Sequence, residues 1–237
     1  MVALRSLLFN VVMLVSVAIY APLMLLTAIL PYPLRYRLVS QWARFQAFQL
    51  KFLCGLDYRV EGREHLPQGA AIVLSKHQSA WETIVFQQIF PAQTWVLKRE
   101  LMWIPLFGWA LALMRPIAID RGAGRKAVEQ VITQGRERLQ SGIWVVVFPE
   151  GTRVAPRTRK RYAMGGAVLA AETGYPVVPV AHNAGSFWPR RGFMKKPGTV
   201  RVVIGPTIDP RGKKPEEIIR QTEEWIENRM VELERVV

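Results

Sequence analysis

Between Ser6 and Leu30 the chain carries no charged side chain, and Asn10 is the only strongly polar residue in the run. Wound as a helix, this stretch would reach about 37 Å, enough to cross the hydrocarbon core of a bilayer. An uncharged segment of that length rarely serves as a core helix. It also exceeds the apolar region of a secretory signal, about 7–15 residues, and no small-x-small cleavage site follows it. The segment is therefore expected to hold the chain on a membrane. Arg5 stands alone before it, whereas Arg35, Arg37, Arg44 and Lys51 follow, so the positive-inside bias keeps the downstream residues on the cytoplasmic side of the inner membrane. Pro22 interrupts the run, Pro31 and Pro33 supply a turn, and Leu34 to Leu53 has Trp42, Phe45, Phe48 and Phe52 among its apolar residues. Two architectures stay open, a spanning helix and a two-helix hairpin that re-enters one leaflet.

Past Gly55 the pattern changes to short β-branched runs separated by longer helical stretches. That alternation predicts an α/β fold, a mixed, largely parallel sheet of about seven strands covered by helices. Strands are predicted over 57–61, 70–75, 94–97, 116–120, 143–148, 177–182 and 199–204, and helices over 81–90, 104–114, 124–140, 163–173 and 215–236. Residues 1–54 then form the membrane-anchoring segment and 55–237 a single domain. The last helix has Ile218, Thr222, Trp225, Ile226 and Leu233 along one side and is assigned to packing.

Charge narrows the partners. The chain has 32 Lys and Arg against 18 Asp and Glu, and residues 215–237 are themselves acidic, so the basic field belongs to the body of the protein and favours an anionic ligand or surface. No recognition helix or aromatic platform organises those bases for nucleic acid. Cys54, the only cysteine, excludes an internal disulfide, and metal-ligand spacings of Cys and His pairs are absent, so no metal is expected.

In sheets of this kind ligands collect at the carboxyl ends of strands, and two polar motifs fall there. The first, after the strand ending at Ser75, is Lys76-His77-Gln78-Ser79-Ala80-Trp81-Glu82-Thr83. An imidazole within reach of a hydroxyl can take its proton as the oxygen attacks a thioester, and a carboxylate on the other ring nitrogen fixes the tautomer. His77 and Glu82 are the right types. Five residues apart on a continuous helix they would diverge by about 140°, so they meet only if His77 lies in the turn before the helix. Ser79-Ala80-Trp81-Glu82 also reads as a helix-capping box, in which Glu82 reaches back to backbone N–H groups. The second motif, Phe148-Pro149-Glu150-Gly151-Thr152-Arg153, follows the most apolar strand and offers a close-approaching backbone, a hydroxyl and a guanidinium, the parts of a phosphate cradle, although a plain surface turn would have the same composition.

In this order and separation the two motifs resemble blocks of the 1-acylglycerol-3-phosphate acyltransferase family over roughly 75–184. His77 and Glu82 match its His-x4-Asp block, with glutamate replacing aspartate. Ile117-Ala118-Ile119-Asp120-Arg121 and Lys98-Arg99-Glu100-Leu101 resemble its second block, Glu150-Gly151-Thr152-Arg153 its third, and Val177-Val178-Pro179-Val180 its fourth. The resemblance implies a catalytic pair His77 and Glu82. It further implies a phosphate grip from Lys98, Arg121 and Arg153 beside the Glu150-Gly151-Thr152 turn, and a pocket wall shaped by Pro179. It implies no cofactor, with an acyl thioester of coenzyme A or of acyl carrier protein as co-substrate, a lysophospholipid as acceptor and phosphatidic acid as product. The run Arg157 to Arg161 and the cluster Arg190, Arg191, Lys195 and Lys196 are expected to meet anionic membrane lipid or a phosphorylated acyl carrier. His65 and His182 are read as structural. A serine hydrolase is disfavoured, since no Gly-x-Ser-x-Gly elbow is present; the rival from another class is a non-catalytic adaptor whose basic face binds anionic lipid.

Overall fold

The computed structural model describes residues 1–235, apart from the side chain of Arg121. Helix α1 (Val2–Leu25) runs into a short 3-10 turn, Leu26–Ile29. Pro31 then stands at the cap of α2 (Tyr32–Cys54), with Pro33 in its first turn, where a missing N–H costs nothing. Gly55 ends α2 in the left-handed region at φ +67°, which glycine adopts without strain. There follow β1 (Leu56–Glu61), β2 (Ile72–Ser75), α3 (Trp81–Ile89), β3 (Gln93–Lys98), α4 (Phe107–Ala112), β4 (Ile117–Ile119), α5 (Arg125–Gln140) and β5 (Trp144–Val147). The chain closes with α6 (Gly165–Thr173), β6 (Val177–His182), α7 (Ala184–Phe187), β7 (Gly198–Ile204) and α8 (Pro215–Arg235). All seven predicted strands are present. The helix predicted from Ile104 starts only at Phe107, because Pro105 pushes Ile104 into an extended conformation (ψ 116°). The predicted end of the last helix at Val236 lies outside the described residues.

The strands form one sheet in the order β1-β7-β6-β2-β5-β3-β4, with every neighbouring pair parallel except β6 and β7. Alternation along the strands sends side chains to two cores. Val73, Val146, Val178 and Val180 pack with Phe9, Ala43, Leu50, Trp81, Val85 and Phe86 from α1, α2 and α3. Ile72, Leu74, Val145, Val147 and Val177 pack with Val131, Leu169, Ile226 and Leu233 from α5, α6 and α8. The N-terminal hairpin therefore contributes to the first core. Its own two helices are joined by polar contacts, with Trp42 Nε1 and Gln46 Nε2 both donating to Ser16 Oγ at 3.1 and 2.9 Å.

Only 11% of the most apolar stretch of α1 is buried in the protein. Leu4, Leu7, Leu8, Val11, Leu14, Val15, Ile19 and Leu23 stay exposed, and so do Phe45, Phe48 and Phe52 of α2 and Trp103 and Trp109 near α4. A core helix would hide such residues. An outward apolar surface this extensive is the mark of a membrane contact.

Candidate active site

Strand order builds the site. With β2, β5, β3 and β4 adjacent and parallel, the segments leaving their carboxyl ends stand in a row: the histidine motif after β2, the Glu150 motif after β5 and Lys98 at the end of β3. His77 sits in the turn between Ser75 and α3. Its Nδ1 lies 2.7 Å from Oε1 of Glu82, and that oxygen also accepts the backbone N–H groups of Gln78 (2.9 Å) and Ser79 (2.8 Å). The two readings of Glu82 are thus one arrangement, since a single carboxylate oxygen caps the start of α3 and grips the imidazole. The extra methylene relative to aspartate leaves it within reach of the ring. Glu82 is fully buried. Burial alone would push its carboxyl up, but the nearby His182 ring, the bond from the His77 ring and the Ser79 N–H together outweigh this and hold it below the usual glutamate range. An ionised carboxylate only accepts, so it is Nδ1 that donates to Glu82, and Nε2 is the ring nitrogen left for a ligand. The ring stacks on Phe148, 4.0 Å between centroids and 14° from parallel, and is 12% exposed, enough to meet a ligand.

The ring opens on a groove of about 550 Å³ whose polar lining includes Lys98, Thr152, Arg153, Arg190 and Arg191. Arg190 is fastened there by its bond to the Arg153 carbonyl, 3.0 Å. Trp42, Ile84, Trp95, Leu111 and Phe148 make the apolar part. A smaller apolar cavity of about 120 Å³ shares Trp42, Trp95, Phe107 and Leu111 with the groove and extends it to Val17, Tyr20 and Met24 of α1.

Several expected members stand elsewhere. Glu150 is 2% exposed and turned away from the groove: Oε2 accepts the His77 N–H at 2.7 Å and Oε1 lies 2.8 Å from the Lys76 ammonium. A carboxylate would repel phosphate, and this one braces the backbone of His77 instead. Gly151 adopts φ +67°, the conformation that turns the chain from Glu150 toward Thr152 and Arg153. Pro179 is not in the pocket wall. It lies within β6, registered with Leu74 and sharing the parity of Val177 and Ala181, so its ring faces the α8 side of the sheet while the groove opens on the other. Lys195 is not a surface cation. Its ammonium is buried over the rings of Trp188, Phe9 and Phe193 at 4.7, 5.4 and 5.8 Å and bonds to Asn10 Oδ1 and the Phe193 carbonyl, which pins α1 to the domain and accounts for the one polar residue of the apolar run. Arg121 opens the 3-10 turn that follows β4, and its side chain lies outside what the structure describes. His182, buried with Nε2 2.9 Å from the Lys76 carbonyl, and His65, 2.9 Å from the Ile204 carbonyl, support backbone. Arg190 and Arg191, expected at lipid or carrier contacts, border the groove; nothing local in a Pro-Arg-Arg-Gly stretch signals this.

Behind His77 lies a buried charge cluster. Burial pushes the Glu150 carboxyl up to about 7, with Glu227 adding to the effect and Lys76 opposing it. The ordinary value is 4.5, so the folded group binds its proton more tightly than the unfolded one. Its stabilising contribution is then complete below the unfolded value and is lost as pH climbs through the folded one. The melting temperature of the protein is accordingly expected to fall relative to that of a Glu150→Gln variant between about pH 5 and about pH 8. A difference between the two that stays flat over this window would contradict the assignment.

An imidazole with a buried carboxylate behind it and a groove lined by cations before it is the arrangement of a group-transfer enzyme that takes an anionic acceptor. Comparison with known proteins agrees with that class. The family model described as Acyltransferase matches residues 57–183. A 1-acyl-sn-glycerol-3-phosphate acyltransferase of Pseudomonas aeruginosa is 43% identical over 236 residues, covering 98% of this chain and 92% of its own. The 1-acyl-sn-glycerol-3-phosphate acyltransferase of Saccharomyces cerevisiae is 31% identical over 60% of this chain and 48% of its own. The crystal structure of the 1-acyl-sn-glycerophosphate (LPA) acyltransferase of Thermotoga maritima matches with a TM-score of 0.79 at 25% identity, over 98% of this chain and 95% of that one. The chain belongs to the 1-acyl-sn-glycerol-3-phosphate acyltransferase family.

Proposed function

We propose that this protein transfers a fatty acyl group from an acyl thioester to the free hydroxyl of 1-acylglycerol 3-phosphate, making phosphatidic acid in phospholipid biosynthesis. The observation that carries the reading is that His77, Lys98, Thr152 and Arg153 line one groove. The acceptor phosphate sits between Lys98 and Arg153, where a guanidinium can take two oxygens at once and the Thr152 hydroxyl can donate, and Arg190 and Arg191 add charge at the rim. Its acyl chain follows the apolar lining toward α1, and its hydroxyl comes to Nε2 of His77. Nε2 takes the hydroxyl proton as the oxygen attacks the thioester carbonyl. The tetrahedral intermediate collapses, the carbon–sulfur bond breaks, and the departing thiolate takes the proton back from the imidazolium. Glu82 stabilises the ring while it is charged.

The hairpin sets the depth of this chemistry. Helix α1 is tied to the domain near both ends, by Ser6, Phe9 and Asn10 against the 188–195 loop and by Val17, Tyr20 and Met24 beside α4. A helix laid along the domain in this way enters one leaflet from the side, which puts the groove level with lipid acyl chains and leaves the basic flank, Arg157 to Arg161 and Lys196, for anionic headgroups or for the acyl carrier. The basic flank suits the anionic cytoplasmic surface of the inner membrane, and we place the domain on that side.

The test is acyl transfer by the full-length protein in anionic vesicles, with labelled palmitoyl-coenzyme A or palmitoyl-acyl carrier protein and 1-acylglycerol 3-phosphate. Phosphatidic acid should form with the wild type, and Arg153→Ala should raise the acceptor KM about tenfold or more, the loss of a charge-assisted phosphate contact. Lipid binding without turnover would point to the adaptor reading, and product formed only from other lysolipids would move the acceptor class.

A further inference from the structure

The two neighbours of His77 are both buried, and one helix holds each of them. On one side Lys76 Nζ donates to Glu227 Oε1 at 2.9 Å; on the other Gln78 Nε2 donates to Glu234 Oε1 at 2.7 Å. Glu227 and Glu234 lie two turns apart on α8 and so project from the same side of it. Each carboxylate also grips the segment that follows the Arg153 turn: Tyr162 Oη donates to Glu227 Oε1 at 2.9 Å, and the Arg157 N–H to Glu234 Oε2 at 2.8 Å. Lys76 closes the circuit with the Thr158 carbonyl at 3.1 Å, and Val154 N–H donates to the His77 carbonyl at 2.8 Å.

A helix needed only as a cover has Ile218, Ile226, Met230 and Leu233 for the purpose. Placing carboxylates against the interior carries a desolvation cost that packing does not require, and here each one is spent on the loops that bear the base and the phosphate-binding arginine. We propose that Glu227 and Glu234 are positioning residues for acyl transfer, which through Lys76 and Gln78 hold the His77 turn in register with the Arg153 turn. The inference rests on His77 acting as the base. A reacting centre displaced by about 1 Å can lose about a hundredfold in rate, so carboxylates remote from the substrate can act on kcat.

The experiment uses full-length protein in vesicles, with palmitoyl-coenzyme A and 1-oleoylglycerol 3-phosphate, and compares Glu227→Gln, Glu234→Gln and the packing control Ile226→Val well below their melting temperatures. Both glutamine variants should lose about 10- to 100-fold in kcat with the acceptor KM within about twofold of wild type, whereas Ile226→Val should lower the melting temperature and leave kcat unchanged. Glu234 is in the last turns of α8, so its variant stays testable if Glu227→Gln fails to fold. Adding Gln78→Glu to Glu234→Gln restores a donor and acceptor across that contact and should recover much of kcat. Glutamine variants with wild-type kcat per folded molecule would overturn the proposal, and so would a loss that the Gln78→Glu exchange does not relieve. A wild type that forms no phosphatidic acid would instead overturn the reading of the base.

Discussion

Alanine at position 77 is expected to slow acyl transfer by about 10²- to 10⁴-fold, the range a positioned general base contributes, and to leave the acceptor KM almost unchanged. The split follows from where each contact is made. Lys98 and Arg153, the side chains proposed to bind the phosphate, come from β3 and the β5 loop and do not depend on the imidazole. Glu150 holds position 77 through its backbone N–H, which alanine keeps, and Glu82 retains the N–H groups of Gln78 and Ser79 after the ring is gone. Folding and vesicle binding should therefore survive, and steady-state kinetics on the vesicle-bound variant measure the loss of chemistry alone. A variant that turns over at the wild-type rate would remove His77 from the mechanism.

The second large effect concerns stability. Lys76→Met should destabilise the protein by about 3–5 kcal/mol, because it leaves partners of a buried ion pair without their counter-charge. Burial works against the Lys76 ammonium, but Glu150 and Glu227 outweigh it and hold it above the usual lysine range. It is 1% exposed, and one ammonium serves both carboxylates, at 2.8 and 2.9 Å. Methionine fills a similar volume, so the cost is electrostatic. In a chain of this size it should appear as a drop in melting temperature of roughly 6–20 °C. Neutralising the whole set in Lys76→Met/Glu150→Gln/Glu227→Gln should recover much of that drop, since a buried charge cluster taken out as a unit costs far less than one broken in half. If the single and triple variants melt together, the cluster is not the source of the effect.

These two residues are adjacent in sequence, yet only one of them announced its role. A histidine after an apolar β-branched run, with a glutamate five residues on, is a recognisable local pattern. A lysine in the same place looks solvated until α8 is laid over it. Glu150 is hidden for a related reason: a glutamate-glycine-threonine-arginine turn has the composition of an anion cradle, and nothing in the string says that its carboxylate turns inward. Lys195 reads as a surface charge in the string, because the aromatic rings that cover it, Phe9 and Trp188, come from other segments of the chain. Pro179 could be placed on the right strand, but assigning it to a wall required knowing which face of the sheet the groove occupies.

By itself the amino-acid sequence determined the membrane contact, the seven strands and the chemical types at the two motifs, because each follows from a short-range pattern: an uncharged run, a β-branched cluster, polar residues where a strand stops. The tertiary structure decided the rest. Inserting β5 between β2 and β3 is what sets the His77 turn beside the Arg153 turn. Docking α8 is what brings two acidic residues more than 150 positions away to either flank of His77. Contacts of that range depend on strand order and helix docking, which are fixed by the mutual fit of whole surfaces and leave no periodicity in any local stretch of the chain.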